Sequence, residues 1–163
     1  MISITEAHNG QIPLIGDLAR RIWPDTFGEI ISGEQIAYML DWMYSPGSLA
    51  AQMASGHHFL LAGEDDNWLG YCAYQALDEG TFVKLHKIYV LPSAQGKGVG
   101  AALLTEVIRR TRQMHVSRLR LNVNRRNAAI GFYEKFGFKI VATEDNDIGH
   151  GYFMNDCVME ASL

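Results

Sequence analysis

The sequence predicts a mixed α/β fold in the order βααβββαβαββ, a central mixed sheet with helices on both faces. Three observations predict it. Two amphipathic helical stretches precede residue 56. Three short apolar segments separated by acidic turns follow, and after residue 91 helical and alternating apolar patterns take turns to the C-terminus. At 163 residues and 48% hydrophobic content the chain is one domain's worth of sequence. A chain of this size buries roughly 70% of the surface its unfolded form exposes, so residues 1–163 are expected to hold as a single domain without disulfide or metal.

Residues 2–4 read as a short first strand. The first helix is expected from near Asn9, with Pro13 in its first turn, Ile15, Leu18, Ala19 and Ile22 at helical spacing, and an end at Pro24. The second opens on Ser32-Gly33-Glu34-Gln35, a capping-box pattern, buries Ile36, Met39, Leu40 and Met43, and stops at Ser45-Pro46-Gly47. A short helical segment is expected before Gly56. Residues 58–62, 68–77 and 81–91 read as an antiparallel meander, joined through Asp65-Asp66-Asn67 and Asp78-Glu79-Gly80 and stopped by Pro92. In the third strand, apolar parity moves from Val83 and Leu85 to Ile88 and Val90, a slip that reverses a strand's faces unless a bulge absorbs it. A helix with Leu103, Leu104, Val107 and Ile108 on one face comes next, then a strand at 118–123 and a helix at 127–136 with Gly137 at its C′ position. Two last strands, near 138–143 and 152–159, flank the expected turn Asp145-Asn146-Asp147.

Composition excludes several functions. No apolar run approaches the length of a bilayer span. Residues 1–10 carry Glu6 and no basic cluster, which argues against a secretory signal peptide. Cys72 and Cys157 read as buried thiols of a soluble, cytoplasmic protein. His57-His58 lacks metal-ligand spacing, so no metal is expected. Net charge is −4, but residues 84–126 hold ten basic residues and one acid, between two acidic ends. That division fits a site for an anionic ligand beside a surface that tolerates a cationic one. Arg109, Arg110 and Arg112 serve equally well as the solvated, cation-favouring end of a helix. Nucleic acid is disfavoured, because the chain is acidic and the basic stretch lacks interleaved aromatics.

The chemistry-bearing pattern is Gln95-Gly96-Lys97-Gly98-Val99-Gly100-Ala101, between a strand and an amphipathic helix. Glycines there let backbone N–H groups approach a phosphate, and the helix N-terminus adds partial positive charge. A P-loop needs Ser or Thr after the lysine, where Gly98 stands. Gly96, Gly98 and Ala101 satisfy the dinucleotide pattern, but no acid follows about 20 residues later and three strands precede the turn. A pyrophosphate carried by another cofactor remains.

The turn resembles the [QR]-x-x-G-x-[GA] signature of the GNAT superfamily of N-acetyltransferases, matched by Gln95, Gly98 and Gly100 with Gly96 beside them. A second resemblance is Asn127-Ala128-Ala129-Ile130-Gly131-Phe132-Tyr133-Glu134-Lys135-Phe136-Gly137-Phe138, similar to the family's N-x-A-[IL]-x-[FL]-Y-x-K-x-G-F helix. The strand–helix order agrees over nearly the whole chain. Trp23-Pro24-Asp25-Thr26-Phe27-Gly28-Glu29, residues 86–92 and Gly151-Tyr152-Phe153-Met154 resemble the polyamine-acetyltransferase branch.

The resemblance implies a GNAT-like sheet splayed between two parallel strands, with acetyl-CoA as cosubstrate lying in the splay. It implies that backbone groups of Ile88 and Val90 meet the cofactor's amides. The amides of Gly96, Lys97, Gly98, Val99, Gly100 and Ala101, beside Gln95, would hold the pyrophosphate; from charge, and not from the motif, Lys97, Arg125 and Arg126 could meet the remaining phosphate. It implies Tyr133 as general acid for the leaving thiolate, whose pKa is about 8.5; without it Tyr133 reads as a packed helix aromatic. Asn127 is a cofactor contact, a helix cap, or both. The oxyanion donor is expected to be a strand N–H such as that of Val90. Where part of the family has a glutamate base, this chain has Lys84; His86, Glu29 and His150 are the candidates instead, acting directly or through water. The acceptor side would carry Asp25, Glu29, Glu34, Asp41, Asp145, Asp147 and Asp156, favouring a small cationic amine, unless these acids merely confer solubility. The alternatives are a protein N-terminal acetyltransferase and a non-catalytic acetyl-CoA sensor. Exposed edge strands would allow a homodimer.

Overall fold

Short acidic turns send the second and third apolar segments after residue 57 back along their predecessors. In the computed structural model, which describes all 163 residues, the three form the antiparallel meander β2 (His58–Glu64), β3 (Asn67–Leu77) and β4 (Phe82–Val90). The strand β1 (Ser3–Glu6) adds to β2, and β5 (Arg118–Asn124), β7 (Tyr152–Ser162) and β6 (Lys139–Gly149) complete one seven-stranded sheet in the order β1-β2-β3-β4-β5-β7-β6. Helices α1 (Ile12–Phe27), α2 (Gly33–Tyr44) and α3 (Pro46–Ala54) lie between β1 and β2 in the chain, α4 (Val99–Gln113) follows β4, and α5 (Ala129–Lys135) follows β5. Alternation along β3 shows the two layers. The Tyr71 hydroxyl donates to that of Tyr44 on α2 (2.6 Å), whereas Tyr74 turns to α4 and accepts from Arg110 (3.2 Å).

Two departures from the expected elements are held by contacts with other elements. Helix α1 runs through Pro24 to Phe27. Proline forfeits one hydrogen bond there, but Trp23 and Phe27 are buried, 4.6 Å apart between ring centroids and both against Tyr89, so the last turn is held by packing. The run Asp145-Asn146-Asp147 is strand, paired with Asn155, Met154 and Phe153. The reversal comes at His150-Gly151, whose φ values of +53° and +78° match the two left-handed positions of a type I′ hairpin turn. The segment expected before Gly56 is the full helix α3, capped by the Ser45 hydroxyl accepting from the Ser48 amide.

The parity slip in β4 is a bulge. Tyr74 faces Leu85 and Ala73 faces Lys87, so His86 is the extra residue, and Val83, Leu85, Ile88 and Val90 all share the face opposite Ala76, Tyr74, Cys72 and Gly70. The sheet's one parallel pairing, β4 with β5, lasts three residues, from Val83↔Leu119 to Leu85↔Leu121. Beyond that, β5 stays with β7 as far as Asn124↔Asp156 while β4 follows β3 to Val90. The two parallel strands therefore part, and the sheet is splayed between them.

Candidate active site

The splay turns unpaired backbone outward. The Leu91 amide donates to the Leu69 carbonyl on the β3 side. Alternation of an antiparallel ladder then points the N–H and C=O groups of Ile88 and Val90 away from β3, into the gap where β5 has left. At the end of that gap lies the glycine turn. Gly96 and Gly98 have φ values of +79° and +82°, and at neither would a Cβ meet any atom within 4 Å. Helix α4 begins at Val99 with no side-chain cap, so its first N–H groups have no intrahelical partner. An uncapped 15-residue helix, a glycine approach and a strip of free strand backbone together fit a ligand with a pyrophosphate at one end and an amide-bearing arm along its length.

These features border one pocket of about 900 Å³. Its lining includes Ile88 and Val90, the turn residues Gln95, Gly96, Gly98, Val99, Gly100 and Ala101, and Asn127 and Tyr133 from the α5 region. Lys97 is exposed and is not part of that lining. The Asn127 side chain accepts from the Ala129 amide at 2.9 Å, so it braces the start of α5 as well as bordering the pocket. Tyr133 is 6% exposed, with Phe132 and Phe138 against its ring at 5.3 and 5.9 Å between centroids. Burial, with Tyr89 and Cys72 near by, raises its pKa above the ordinary phenol value, so the hydroxyl keeps its proton at neutral pH.

The charged residues sort differently from the sequence expectation. Arg125 pairs with Asp145 at 2.9 Å, and Arg126 donates to the backbone oxygens of Glu29 (2.7 Å) and Ile30 (3.0 Å). Arg125 is thus tied to β6 and Arg126 to the α1–α2 connection, and neither borders the pocket. Of the seven expected acceptor-side acids, Asp156 alone lines the pocket; Glu144 joins it. Of the three base candidates, only His86 lines it; Glu29 is exposed in the α1–α2 connection, and His150 sits in the hairpin turn, 4.7 Å from the Tyr38 ring. His86 occupies the bulge, stacked on His57 at 4.3 Å with its Nε2 3.1 Å from Gln75 Oε1. Burial, then His57 and the lysines at 84 and 87, depress His86 to about 3, and burial with the same lysines depresses His57 to about 4. Both imidazoles are therefore neutral and poor proton acceptors at pH 7.

The pocket's other end is lined by Trp23, Thr26 and Phe27 from α1, Met39, Trp42 and Met43 from α2, and, beside the expected Asp156, by Lys84, Asn122, Glu144, Asn146, Ile148 and Met154 from the sheet. Asn122 was legible only as a strand residue of alternating parity, because nothing local marks which face closes over a pocket; Asp156 was expected on the acceptor side from its charge alone. This end is roofed. Gln35 on α2 donates to the Phe153 carbonyl (2.9 Å) and the Tyr38 hydroxyl to the Ile148 carbonyl (2.7 Å), tying α2 to the β6–β7 hairpin. Ser32 caps α2 through the Gln35 amide, but the Gln35 side chain is spent on the hairpin, so half of the expected capping box forms.

Residues 16–138 match the family model described as Acetyltransferase (GNAT) family. An uncharacterized N-acetyltransferase of Mycobacterium tuberculosis (strain H37Rv) is 30% identical over 147 residues, covering 90% of this chain and 94% of that protein. A ribosomal protein bS18-alanine N-acetyltransferase of Haemophilus influenzae is 32% identical over 121 residues, 74% of this chain and 80% of that one. Among solved structures, the PaiA N-acetyltransferase of Thermoplasma acidophilum in complex with coenzyme A superposes with a TM-score of 0.84 at 25% identity, covering 100% of this chain and 99% of that one.

Proposed function

The chain belongs to the acetyltransferase (GNAT) family and is an acetyl-CoA-dependent N-acetyltransferase, and from that premise we propose that it acetylates a primary amine of a small, cationic, polyamine-like acceptor. The observation that carries the acceptor class is the roof over the far end of the pocket. With α2 hydrogen-bonded to the β6–β7 hairpin through Gln35 and Tyr38, that end has aromatic and methionine walls and two carboxylates, Glu144 and Asp156. Such a lining suits methylenes ending in an ammonium better than a peptide that must leave along a groove.

The bound cosubstrate supplies an acetyl thioester. The chain's own groups do the rest: the free N–H groups at the start of α4 and in the glycine turn receive the pyrophosphate, and the outward backbone of Ile88 and Val90 aligns the arm. The Val90 N–H faces the gap where oxyanion charge develops, and Tyr133 gives its hydroxyl proton to the departing sulfur. With an acidic chain and no helix long and apolar enough to cross a membrane, a small-molecule acceptor is favoured over nucleic acid or a bilayer. The buried free thiols Cys72 and Cys157 support the reducing cytoplasm as its compartment. Edge strand β6, with Ile140 and Val141 exposed, leaves room for a homodimer.

The similarity to the bS18-alanine acetyltransferase favours a second reading, an α-amino acceptor at a protein N-terminus. Thiol release from acetyl-CoA, measured with spermidine, spermine, simple diamines and peptides with free N-termini, separates the two. Saturable release with polyamines and none with peptides is expected. Release with peptides alone would replace the reading, and acetyl-CoA binding without release on any amine would leave a sensor.

A further inference from the structure

An acceptor ammonium has a pKa of about 10 and must lose a proton before its nitrogen can attack. The groups lining the acceptor end narrow the choice of acceptor for that proton. Lys84 is cationic, and Lys87, although it borders the pocket, turns its Nζ into the core against Gln52 (2.7 Å) between the Tyr44 and Phe59 rings. His86 is packed on His57 and hydrogen-bonded to Gln75. Helices α1 and α2 contribute Trp23, Thr26, Phe27, Met39, Trp42 and Met43, none of which takes up a proton. Tyr89 and Tyr133 are protonated phenols. Two carboxylates remain.

They stand directly opposite each other, Glu144 on β6 and Asp156 on β7. Like charges in that relation repel unless a cation sits between them. Asp156 is 9% exposed, yet its hydrogen bonds all fall on one oxygen: Oδ2 accepts from Asn146 at 3.1 Å and from Asn122 at 3.4 Å. Oδ1 has no protein donor, and it is not among the sealed polar atoms of the core. Asn122 also donates to Glu144 at 2.9 Å, so one amide holds both carboxylates in register. A nine-tenths-buried carboxylate, braced on one oxygen and open on the other, thus lines the pocket that Tyr133 lines.

We propose that Asp156 is the general base of the transfer: its Oδ1 takes the acceptor's ammonium and then its proton, with Asn122, Asn146 and Glu144 positioning it. This rests on the acceptor reading given above. The ammonium hands one proton to Asp156, leaving a neutral amine. The nitrogen forms a bond to the acetyl carbonyl carbon, and the carbon–sulfur bond breaks. The sulfur takes the Tyr133 proton, the new amide nitrogen sheds its surplus proton to solvent, and solvent restores Tyr133 and Asp156. Burial, followed by the field of Glu144, raises the Asp156 pKa against the opposing pull of its amide bonds and of Lys84, which makes it a better base than an exposed aspartate.

Asp156→Asn keeps the bracing geometry, because an amide oxygen can still accept from Asn122 and Asn146. It is expected to lower kcat/KM for spermidine by about 10²-fold or more at pH 7, with the deficit narrowing as pH approaches the amine's pKa of about 10. With an arylamine, which is neutral at pH 7 and needs no base before attack, the variant should approach wild type. Acetyl-CoA affinity, followed by tryptophan fluorescence, should be unchanged, and calorimetric binding of spermidine to the coenzyme A complex should weaken. Glu144→Gln should weaken spermidine binding and shift the acidic limb of kcat/KM to lower pH, since the field that raises Asp156 is removed. Wild-type kcat/KM in Asp156→Asn at all pH values, an equal loss with charged and neutral amines, or a parallel loss of acetyl-CoA affinity would each overturn the proposal. Wild-type protein inactive on every amine would instead overturn the acceptor reading, and spermidine binding would still test Asp156.

Discussion

Replacing Tyr133 by phenylalanine removes one oxygen from a buried ring and little else. The ring is held by Phe132 and Phe138, and its hydroxyl is bonded to no other side chain, so the change orphans no partner and opens no cavity. Stability should therefore stay within the roughly 0.5 kcal/mol of a neutral substitution. Activity should respond very differently. A thiolate with a pKa of about 8.5 leaves without help at some rate, so the benefit of an acid lies at the lower end of the usual range, about 10²-fold in kcat, or ~2.7 kcal/mol of barrier. The assay is steady-state thiol release at pH 7 with acetyl-CoA saturating, beside thermal melts and acetyl-CoA titrations of both proteins. The expected pattern is a lowered kcat with Tm and cosubstrate affinity preserved. An unchanged kcat would refute the acid role, and a fall in affinity matching the fall in kcat would make Tyr133 a wall of the pocket and nothing more.

Gly98→Ala places a Cβ on backbone at φ +82°, which costs roughly 1–2 kcal/mol of strain; acetyl-CoA affinity should fall about tenfold by titration. Arg126→Ala frees the backbone oxygens of Glu29 and Ile30 and should raise the amine KM several-fold in steady-state kinetics, leaving acetyl-CoA affinity alone. The two imidazoles at His57 and His86 bind protons in the unfolded chain below its ordinary 6.5 but resist them in the fold until about 4 and about 3. The unfolded state therefore gains protons first, and stability should be full above pH 6.5 and fall progressively towards pH 3. Denaturant melts across that range should show a shallower decline in His86→Gln than in the wild type.

Much of the cosubstrate half was legible in the chain. Gly96, Gly98 and the uncapped start of α4 announce themselves locally, because a left-handed turn and a helix N-terminus are built by neighbouring residues. The bulge at His86 was readable as a parity slip for the same reason. The acceptor half was harder. Arg125 and Arg126 looked free as sequence and are held by Asp145 and by the α1–α2 connection. Asp145-Asn146-Asp147 carries turn composition but lies in strand, since cross-strand pairing with β7 overrides local preference and the left-handed positions fall at His150-Gly151.

The sequence alone determined the alternation of helices and strands, the glycine turn and the Tyr133 helix, all features whose physics acts over a few consecutive residues. Tertiary structure alone decided where β4 and β5 part, which acids face the pocket, and that α2 closes on the β6–β7 hairpin through Gln35 and Tyr38. Those outcomes depend on contacts between residues from a dozen to more than a hundred positions apart. Whether a carboxylate such as Asp156 ends in solvent or at a reacting centre is set by what packs over it, and no local pattern encodes that.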